Sequence, residues 1–485
     1  MQSLTSFRTN RAGAAWAIVL AAALSFYPTV FQAETDPFFR RQPAEIQITN
    51  RQDVERLVAL GLILDNVTPD RVRAYLDPAE FGRVRSLGLQ VRWLPNTAKT
   101  RHDRDLARPQ PVREEGGYPT YEELTAALQA LAAAHPDLCR LVSAGRSVQG
   151  RDLWWLKISD NVADEEDEPE FHYIGSMHGD EPVGIVLCLD LARYLLEQYG
   201  QDPRVTHLVN ETEIWIMPLM NPDGYVAGSR FNANEEDLNR DFPDPVTSPD
   251  NVTDDRQPET QAVMRWVKAH TPTLAANLHT GALVAAYPWD HTFDLSPDDS
   301  LFVHLATAYT QTNAAMWNSP DFVHGFIQGA YWYIIFRGMM DWAYLWMGCP
   351  EITIEVSNDK WPSEGELAAL WEDNRESLLA YIEQAQIGVR GLVTDGSTGR
   401  PVAATILVAN NPIPVFTDPD VGDFHRLLLP GTYALTVKAN GYATRTVAGV
   451  VVSDGEAAVV DVALTPSGGG GGGGGGGCFV RALGY

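Results

Sequence analysis

Residues 170–184 read Glu-Phe-His-Tyr-Ile-Gly-Ser-Met-His-Gly-Asp-Glu-Pro-Val-Gly, and this stretch decides the fold. An apolar run with the composition of a strand leads into a turn marked by Gly and Pro, and a helical pattern follows from Val183. His178 and Glu181 lie three residues apart in that turn. Imidazole and carboxylate suit zinc, and a catalytic zinc keeps three protein ligands plus an open position for water. The stretch therefore predicts half of a zinc site, although most His-x-x-Glu pairs are ordinary surface loops.

Strands and helices alternate on both sides of this stretch. Strands are predicted at 153–158, 171–177, 214–219, 274–278 and 352–356, and helices at 183–198, 258–270, 301–312 and 367–384. A capping box of Thr120 and Glu123 predicts the first helix. The pattern is typical of an α/β domain with a largely parallel or mixed sheet, in which sites form beyond the ends of strands. We place this domain at residues 116–385.

A second group of motifs follows the predicted strand at 214–219. Asn-Pro-Asp-Gly-Tyr at residues 221–225 is turn chemistry, and it leads to Arg230 and then to Asp-Leu-Asn-Arg-Asp-Phe-Pro at residues 237–243. An arginine can bind a carboxylate bidentately or stabilise a developing oxyanion. Taken singly, Arg230 and Arg240 would each more often be a surface residue in a salt bridge.

Two further strands each supply a polar residue. His279 follows the short apolar strand at 274–278, which makes it the natural third ligand. Glu355 lies in the β-branched strand at 352–356. Because burying an unpaired carboxylate is costly, Glu355 must face either solvent or a cation.

In this order the motifs resemble the zinc metallocarboxypeptidases, and within them the regulatory or N/E-type subgroup. The resemblance covers residues 116–385 and includes Asp-Trp-Ala-Tyr at residues 341–344. It implies one Zn²⁺ and a set of roles for named residues: zinc ligands His178, Glu181 and His279; carbonyl-polarising Arg230; Asn239 and Arg240 on the terminal carboxylate of the substrate; Tyr344 closing over the bound residue; and Glu355 as general base. Thr280 departs from the pattern, since many relatives have Gly or Ser there.

The chemistry agrees with these roles. Zinc lowers the pKa of bound water and polarises a carbonyl, a carboxylate such as Glu355 accepts the water proton, and Arg230 stabilises the oxyanion. Only a chain end offers a free carboxylate to Asn239 and Arg240. We therefore expect an exopeptidase that acts on the C-termini of peptides or proteins.

Tyr-Pro-Trp-Asp at residues 287–290 indicates the specificity. A carboxylate near the pocket for the terminal side chain would pair with Lys or Arg and disfavour other ends. The segment resembles Tyr-Pro-Phe-Asp of the regulatory subgroup, which implies that Asp290 recognises basic residues. His291 stands where many of those relatives have a second acid. The alternative is that Asp290 only caps a surface turn.

The chain before this domain has two predicted parts. Residues 1–33 have the basic start and short apolar run of an export signal, with an uncleaved membrane anchor as the alternative. Residues 34–115 form a small α/β module that loosely resembles the pro-region of secreted bacterial zinc carboxypeptidases. Its polar end at residues 99–115 is predicted to be a protease-accessible linker.

The chain after the domain changes to short strands. Residues 386–466 are predicted to form a β-sandwich, because turn signals separate six short apolar runs. Their motifs resemble the transthyretin-like domain of the same subgroup. Residues 467–485 are a glycine-rich, flexible tail ending in Cys478 and a short tag. The tag resembles a sorting signal for surface attachment, and a meaningless or truncated end is the alternative.

Composition narrows the functional classes. The net charge of −27 argues against nucleic acid, and no segment after the first thirty-odd residues is apolar enough to cross a membrane. Four scattered cysteines exclude a disulfide scaffold. Two rivals to the peptidase remain: a catalytically dead carboxypeptidase-like module, which would need a lost ligand or base, and an acyl-amino-acid amidohydrolase on a related zinc scaffold. We therefore predict an exported metallocarboxypeptidase.

Overall fold

The computed structural model describes residues 40–106 and 117–467. The first part is a small α/β module with these elements: β1 (Gln42–Gln47), α1 (Arg51–Ala59), β2 (Ile63–Val67), β3 (Arg71–Leu76), α2 (Pro78–Ser86) and β4 (Val91–Trp93). Its sheet has the order β2-β3-β1-β4 and is antiparallel throughout. The Asp77 side chain caps α2 in a box with Glu80. Strand β2 is absent from the sequence prediction.

The segment predicted as a linker is in part a helix. Helix α3 spans Thr97–Leu106 and lies against the following domain. His102 Nε2 is 3.1 Å from the Val226 carbonyl oxygen, and Trp361 Nε1 donates to Asp105 at 3.2 Å. The prediction of a linker beginning at residue 99 is therefore wrong for residues 99–106, and residues 107–116 lie outside the described chain.

The central domain is built on one mixed sheet of eight strands. The strands are β5 (Cys139–Arg146), β6 (Asp152–Ile158), β7 (Glu170–Gly175), β8 (Glu213–Met217), β9 (Leu274–His279), β10 (Ala282–Tyr287), β11 (Phe326–Gln328) and β12 (Glu351–Ser357). Their order is β11-β10-β12-β9-β7-β8-β6-β5. The middle strands β8, β7, β9 and β12 are parallel, and they are almost wholly buried. This explains their continuous apolar composition.

Helices cover both faces of this sheet. They are α4 (Tyr121–Ala134), α5 (Val183–Gln198), α6 (Pro203–Asn210), α7 (Pro222–Ala227), α8 (Pro258–His270), α9 (Asp299–Thr310), α10 (Ala314–Trp317), α11 (Gly329–Trp332), α12 (Met339–Met347) and α13 (Leu367–Ile382). Four short 3-10 helices lie at Leu238–Arg240, Val323–Gly325, Glu364–Glu366 and Glu383–Gln386. Helices α5, α9 and α13 pack on one face and α8 and α12 on the other. The site loops are left at the ends of the strands.

The last part is all β. Its strands are β13 (Gly388–Asp395), β14 (Thr405–Val408), β15 (Val415–Phe416), β16 (Asp423–Arg426), β17 (Gly431–Lys438), β18 (Arg445–Val452), β19 (Ala457–Val459) and β20 (Val462–Leu464). One sheet has the order β16-β13-β19, with β20 also on β13, and the other has the order β15-β14-β17-β18. Buried Val, Ile and Leu side chains from both sheets form one core. The predicted fold class, a mixed α/β domain between a small α/β module and an all-β sandwich, is confirmed.

Three predictions concern chain outside the described residues: the export signal, the end of the linker, and the tail with Cys478. Among the helices that the structure does describe, none combines the length and the apolar character needed to cross a membrane.

Candidate metal centre and active site

Three predicted ligands meet at the ends of β7 and β9. His178 Nδ1 lies 3.0 Å from Glu181 Oε1, His279 Nδ1 lies 2.8 Å from Glu181 Oε2, and the two ring nitrogens are 3.0 Å apart. All three side chains are buried. Two imidazole nitrogens and a carboxylate that converge at this spacing are the donor set of a catalytic zinc. The residues present therefore fit a zinc ion.

The loop that carries His178 depends on a glycine. A side chain on Gly179 would place its Cβ 2.1 Å from the Gly224 carbonyl carbon, so only glycine allows the turn after β7 to press against residues 221–225. The Asn221 side chain holds that second turn by accepting from Gly224 N at 2.9 Å. The Asn-Pro-Asp-Gly turn thus supports the metal loop.

Asp237 joins the metal centre to an arginine. His178 Nε2 lies 3.1 Å from Asp237 Oδ1, and Arg230 Nε donates to Asp237 Oδ2 at 3.0 Å. Burial acts to raise the pKa of Asp237, but Arg230 and His178 outweigh it and hold that pKa well below its usual value. A carboxylate behind a metal-binding imidazole fixes the ring orientation. Asp237 was quoted in its motif but given no role from sequence.

Glu355 is brought beside the third ligand by the sheet itself. Strands β9 and β12 are parallel, and their register pairs Glu355 with His279. Glu355 Oε2 is buried without a hydrogen-bond partner in the described chain. Burial raises the pKa of Glu355 well above its usual value, and Glu181 and Asp65 add to that effect. The carboxylate is thus poised to take up a proton.

One cavity contains nearly all of the predicted site. It is lined by His178, His279, Arg230, Asn239, Arg240, Asp290 and Glu355, among others. Asn239 Oδ1 accepts from Met339 N at 3.0 Å, and Arg240 donates to the Asn239 carbonyl at 2.7 Å. The amide and the guanidinium are therefore held together at the cavity wall.

Asp290 lines this cavity, and its position is fixed by Asp341 and Gly329. Asp341 accepts from the backbone N–H groups of Asp290 and His291 at 3.0 and 3.1 Å. Burial and then Asp341 raise the pKa of Asp290 well above its usual value, while Arg240 lowers it. A Cβ on Gly329 would lie 1.7 Å from Asp290 Oδ1, so glycine leaves the space that the carboxylate occupies. The Asp290 carboxylate therefore forms part of the cavity wall.

Tyr344 is not at this cavity. Its side chain is fully buried in α12, its hydroxyl donates to Asp298 Oδ2 at 2.7 Å, and its ring packs against Phe302. Tyr333 lines the cavity instead, eleven residues earlier in the chain. The prediction that Tyr344 closes over the bound residue is wrong, because α12 turns that ring into the core.

Strand β2 supplies a cavity residue that sequence reasoning missed entirely. The pairing of β2 with β3 shifts register between Leu64 and Asn66, and Asp65 lies in the resulting bulge. A bulge re-aims a side chain. Asp65 Oδ1 lies 2.9 Å from Arg230 and 2.8 Å from Lys360 Nζ. Burial would raise the pKa of Asp65, but Lys360, Arg73 and Arg230 outweigh it and lower that pKa.

The same strand reaches other groups of the site. The Leu64 carbonyl accepts from Arg240 at 3.2 Å, and the Asp65 carbonyl accepts from the Tyr333 hydroxyl at 3.3 Å. Lys360 also contacts Glu181 Oε1 at 2.8 Å. The first module therefore contacts Arg230 and Arg240, two of the groups that were predicted to act on the substrate. The only sequence signal was one acid within the apolar run at residues 62–67.

Two family patterns match the sequence. The pattern described as zinc carboxypeptidase covers residues 124–377, and the pattern described as carboxypeptidase regulatory-like domain covers residues 388–465. Among solved structures, carboxypeptidase A from Helicoverpa armigera superimposes with a TM-score of 0.59 at 17% identity, covering 72% of this chain and 98% of that one. This likeness shows the fold of the central domain.

Relatives of known name cover the same region. Carboxypeptidase D from Homo sapiens is 44% identical over 356 residues, which are 68% of this chain and 25% of that protein. The carboxypeptidase N catalytic chain from Mus musculus is 38% identical over 393 residues, which are 72% of this chain and 86% of that one. The matched region is thus about a quarter of the length of carboxypeptidase D.

Proposed function

The chain belongs to the zinc carboxypeptidase family, and from this we propose that it is a zinc-dependent exopeptidase that removes the C-terminal residue of peptides or proteins. The observation that carries the proposal is the convergence of His178, Glu181 and His279 at the cavity that also contains Glu355 and the two arginines. One Zn²⁺ held by the three ligands would polarise the scissile carbonyl and make its bound water acidic.

The remaining groups act around that ion. Glu355 accepts a proton from the attacking water and passes it to the leaving amine. Arg230 donates to the oxygen on which negative charge develops. Asn239 and Arg240 bind the terminal carboxylate of the substrate, and Tyr333 covers the bound residue. An internal peptide bond has no free carboxylate at this distance, so the site selects chain ends.

Asp290 sets the preference for Lys and Arg at the C-terminus. Its carboxylate is buried, and Arg240 is the cation that acts to lower its pKa among the described residues. A substrate ammonium or guanidinium would supply the missing partner, whereas an apolar end would leave the charge unpaired. The preference is therefore for basic ends.

Metal content and product analysis together test the proposal. Glu355→Gln should keep zinc and lose turnover by about 10² or more, since the amide cannot accept the water proton. His279→Ala should lose zinc. Release of a single terminal residue from a peptide panel separates the proposal from an inactive module and from an acyl-amino-acid amidohydrolase. Release of only acyl groups, or full turnover by the Glu355 variant, would contradict it.

We also propose that residues 34–115 act as an inhibitory pro-region. Asp65 forms ion pairs with Arg230 and Lys360, and backbone carbonyls of β2 accept hydrogen bonds from Arg240 and Tyr333. A peptide substrate needs Arg230, Arg240 and Tyr333 in the roles proposed above. The module must therefore move away, or be cleaved off within residues 107–116, before substrate can bind.

The proposal also covers the location of the protein and the bounds of its domains. We propose that residues 1–33 direct export and that the tail with Cys478 attaches the protein to a surface. The catalytic domain would occupy residues 116–385 and the sandwich residues 386–466. Enzyme activity in the culture medium or surface fraction, lost when residues 1–33 are deleted, would support export.

A further inference from the structure

A second group of metal-binding side chains lies where the central domain meets the β-sandwich. Asp167 comes from the loop before β7, and Asp423 and His425 come from β16. One ligand atom from each lies within 4.8 Å of the other two. His425 Nε2 is 2.9 Å from Asp423 Oδ2 and 3.9 Å from Asp167 Oδ1. This group is separate from the three ligands in the cavity.

Two carboxylate oxygens in this group have no hydrogen-bond partner among the described residues. Asp167 Oδ1 and Asp423 Oδ1 are both inaccessible to solvent and accept no hydrogen bond within the described chain. Asp423 is only 5% exposed as a residue. Arg390 lies 3.4 Å from the other oxygen of Asp167, so it leaves Oδ1 free. A buried carboxylate oxygen without a donor is costly and is normally satisfied by a hydrogen bond or a cation.

The surrounding charge favours a cation. The neighbouring acids Glu165 and Glu213 already have a cation of their own, because Lys157 Nζ lies 3.7 and 2.7 Å from them. No described lysine pairs with Asp167 or Asp423. Arg390 is therefore the one basic side chain of the described residues, histidine aside, that pairs with a carboxylate of this group.

We propose that Asp167, Asp423 and His425 form a second metal site that binds a divalent cation of the zinc class. One imidazole and two carboxylates suit zinc or a similar transition metal, whereas calcium and magnesium prefer oxygen ligands alone. Asp167 Oδ1, Asp423 Oδ1 and one ring nitrogen of His425 would donate lone pairs to the ion. Because its ligands come from both sides of the junction, it would tie the loop before β7 to the sandwich.

The second metal site is tested by zinc binding to the whole chain after His279→Ala has removed a ligand of the catalytic site. The His279→Ala variant is stripped with a chelator, reloaded with zinc and freed of excess zinc by gel filtration. Elemental analysis should then find about one zinc ion per chain, and zinc should raise its Tm. Adding His425→Ala should abolish both effects. Adding His304→Ala, which changes an exposed histidine on α9, should abolish neither.

The single variant separates this site from the proposed activity. His425→Ala alone should lower bound zinc from about two ions to about one, while turnover of a peptide ending in Arg stays within about twofold. Asp423→Asn serves as a second variant if removal of the imidazole disturbs folding. Zinc binding by His279→Ala that is equal with and without His425, or no binding at all, would overturn the proposal.

Discussion

Asp65→Ala in the uncut chain is the most informative change, because it removes one carboxylate from the cavity and leaves every proposed catalytic group in place. The carboxylate contacts Arg230, Lys360 and Arg73. Only the first two are buried cations of the site, since Arg73 is about one third exposed. We expect the uncut variant to be more active than the uncut wild type.

The expected rise in activity depends on the ion-pair partners that Arg230 and Lys360 retain after Asp65 is removed. Removing one partner of a buried ion pair costs about 3 to 5 kcal/mol when the other charge is left alone. Arg230 retains Asp237 at 3.0 Å, and Lys360 retains Glu181 at 2.8 Å, so the lower end applies. About 3 kcal/mol corresponds to roughly a hundredfold shift from the closed towards the open arrangement.

The assay is kcat/KM for a peptide ending in Arg, measured before and after proteolysis within residues 107–116. Asp65→Ala should raise the value for the uncut chain by roughly a hundredfold and should not change it for the cut chain. Asp70→Ala is the matched control, because Asp70 lies in the same module with its side chain 74% exposed. Equal activity of the wild type before and after proteolysis would refute inhibition, and a rise on proteolysis without a rise in the variant would refute the role of the ion pairs.

Three further outcomes are expected. Asp290→Ala should lower the ratio of kcat/KM for peptides ending in Arg to that for peptides ending in Leu by at least roughly thirtyfold, because a desolvated ion pair is worth about 2 kcal/mol or more. Asp294→Ala, at an exposed position, is the control. An unchanged ratio would exclude Asp290 from specificity. The same ratio should fall as the pH is lowered through the raised pKa of Asp290, since protonation removes the charge that pairs with Arg; a ratio independent of pH would contradict this. In the cut chain, Tyr333→Phe should lower kcat/KM and leave the zinc content unchanged. Tyr344→Phe should instead leave kcat/KM unchanged and lower the free energy of unfolding by about 1 kcal/mol, because the hydrogen bond to Asp298 is lost. The opposite pattern would restore the assignment of Tyr344 to the bound residue.

The sequence predicts what is encoded locally. His178 and Glu181 share one turn and His279 follows a short apolar strand, so the pattern alone indicated a zinc site with His279 as the candidate third ligand. That Glu355 belongs to the same site was implied by the resemblance to the zinc metallocarboxypeptidases. The register between β9 and β12 could not be predicted, because pairing of strands distant in sequence depends on the whole sheet. The fold of the central domain followed from the alternation of strands and helices.

The errors have physical causes of the same kind. Strand β2 contains Asp65 and Asn66, which are typical of turns, and its bulge breaks the alternation that marks a strand. Helix α3 has few apolar residues and is held by contacts such as His102 with the Val226 carbonyl. Tyr344 and Tyr333 cannot be told apart as candidates from the sequence alone, because only the packing of α12 shows that Tyr344 lies in the core while Tyr333 lines the cavity. In each case tertiary contacts override the local pattern.

The parallel register that sets Glu355 beside His279 bears on how the proposed specificity can diverge. Adjacent strands are about 4.8 Å apart in any sheet, so the separation of base and metal ligand is a property of the backbone and not of side-chain packing. Asp290 and Gly329, in contrast, follow β10 and β11 at the edge of the sheet. We expect substitutions at that edge to change which terminal residue is accepted without changing the rate of the reaction itself, so this edge is where the proposed peptidase could be redirected to new chain ends.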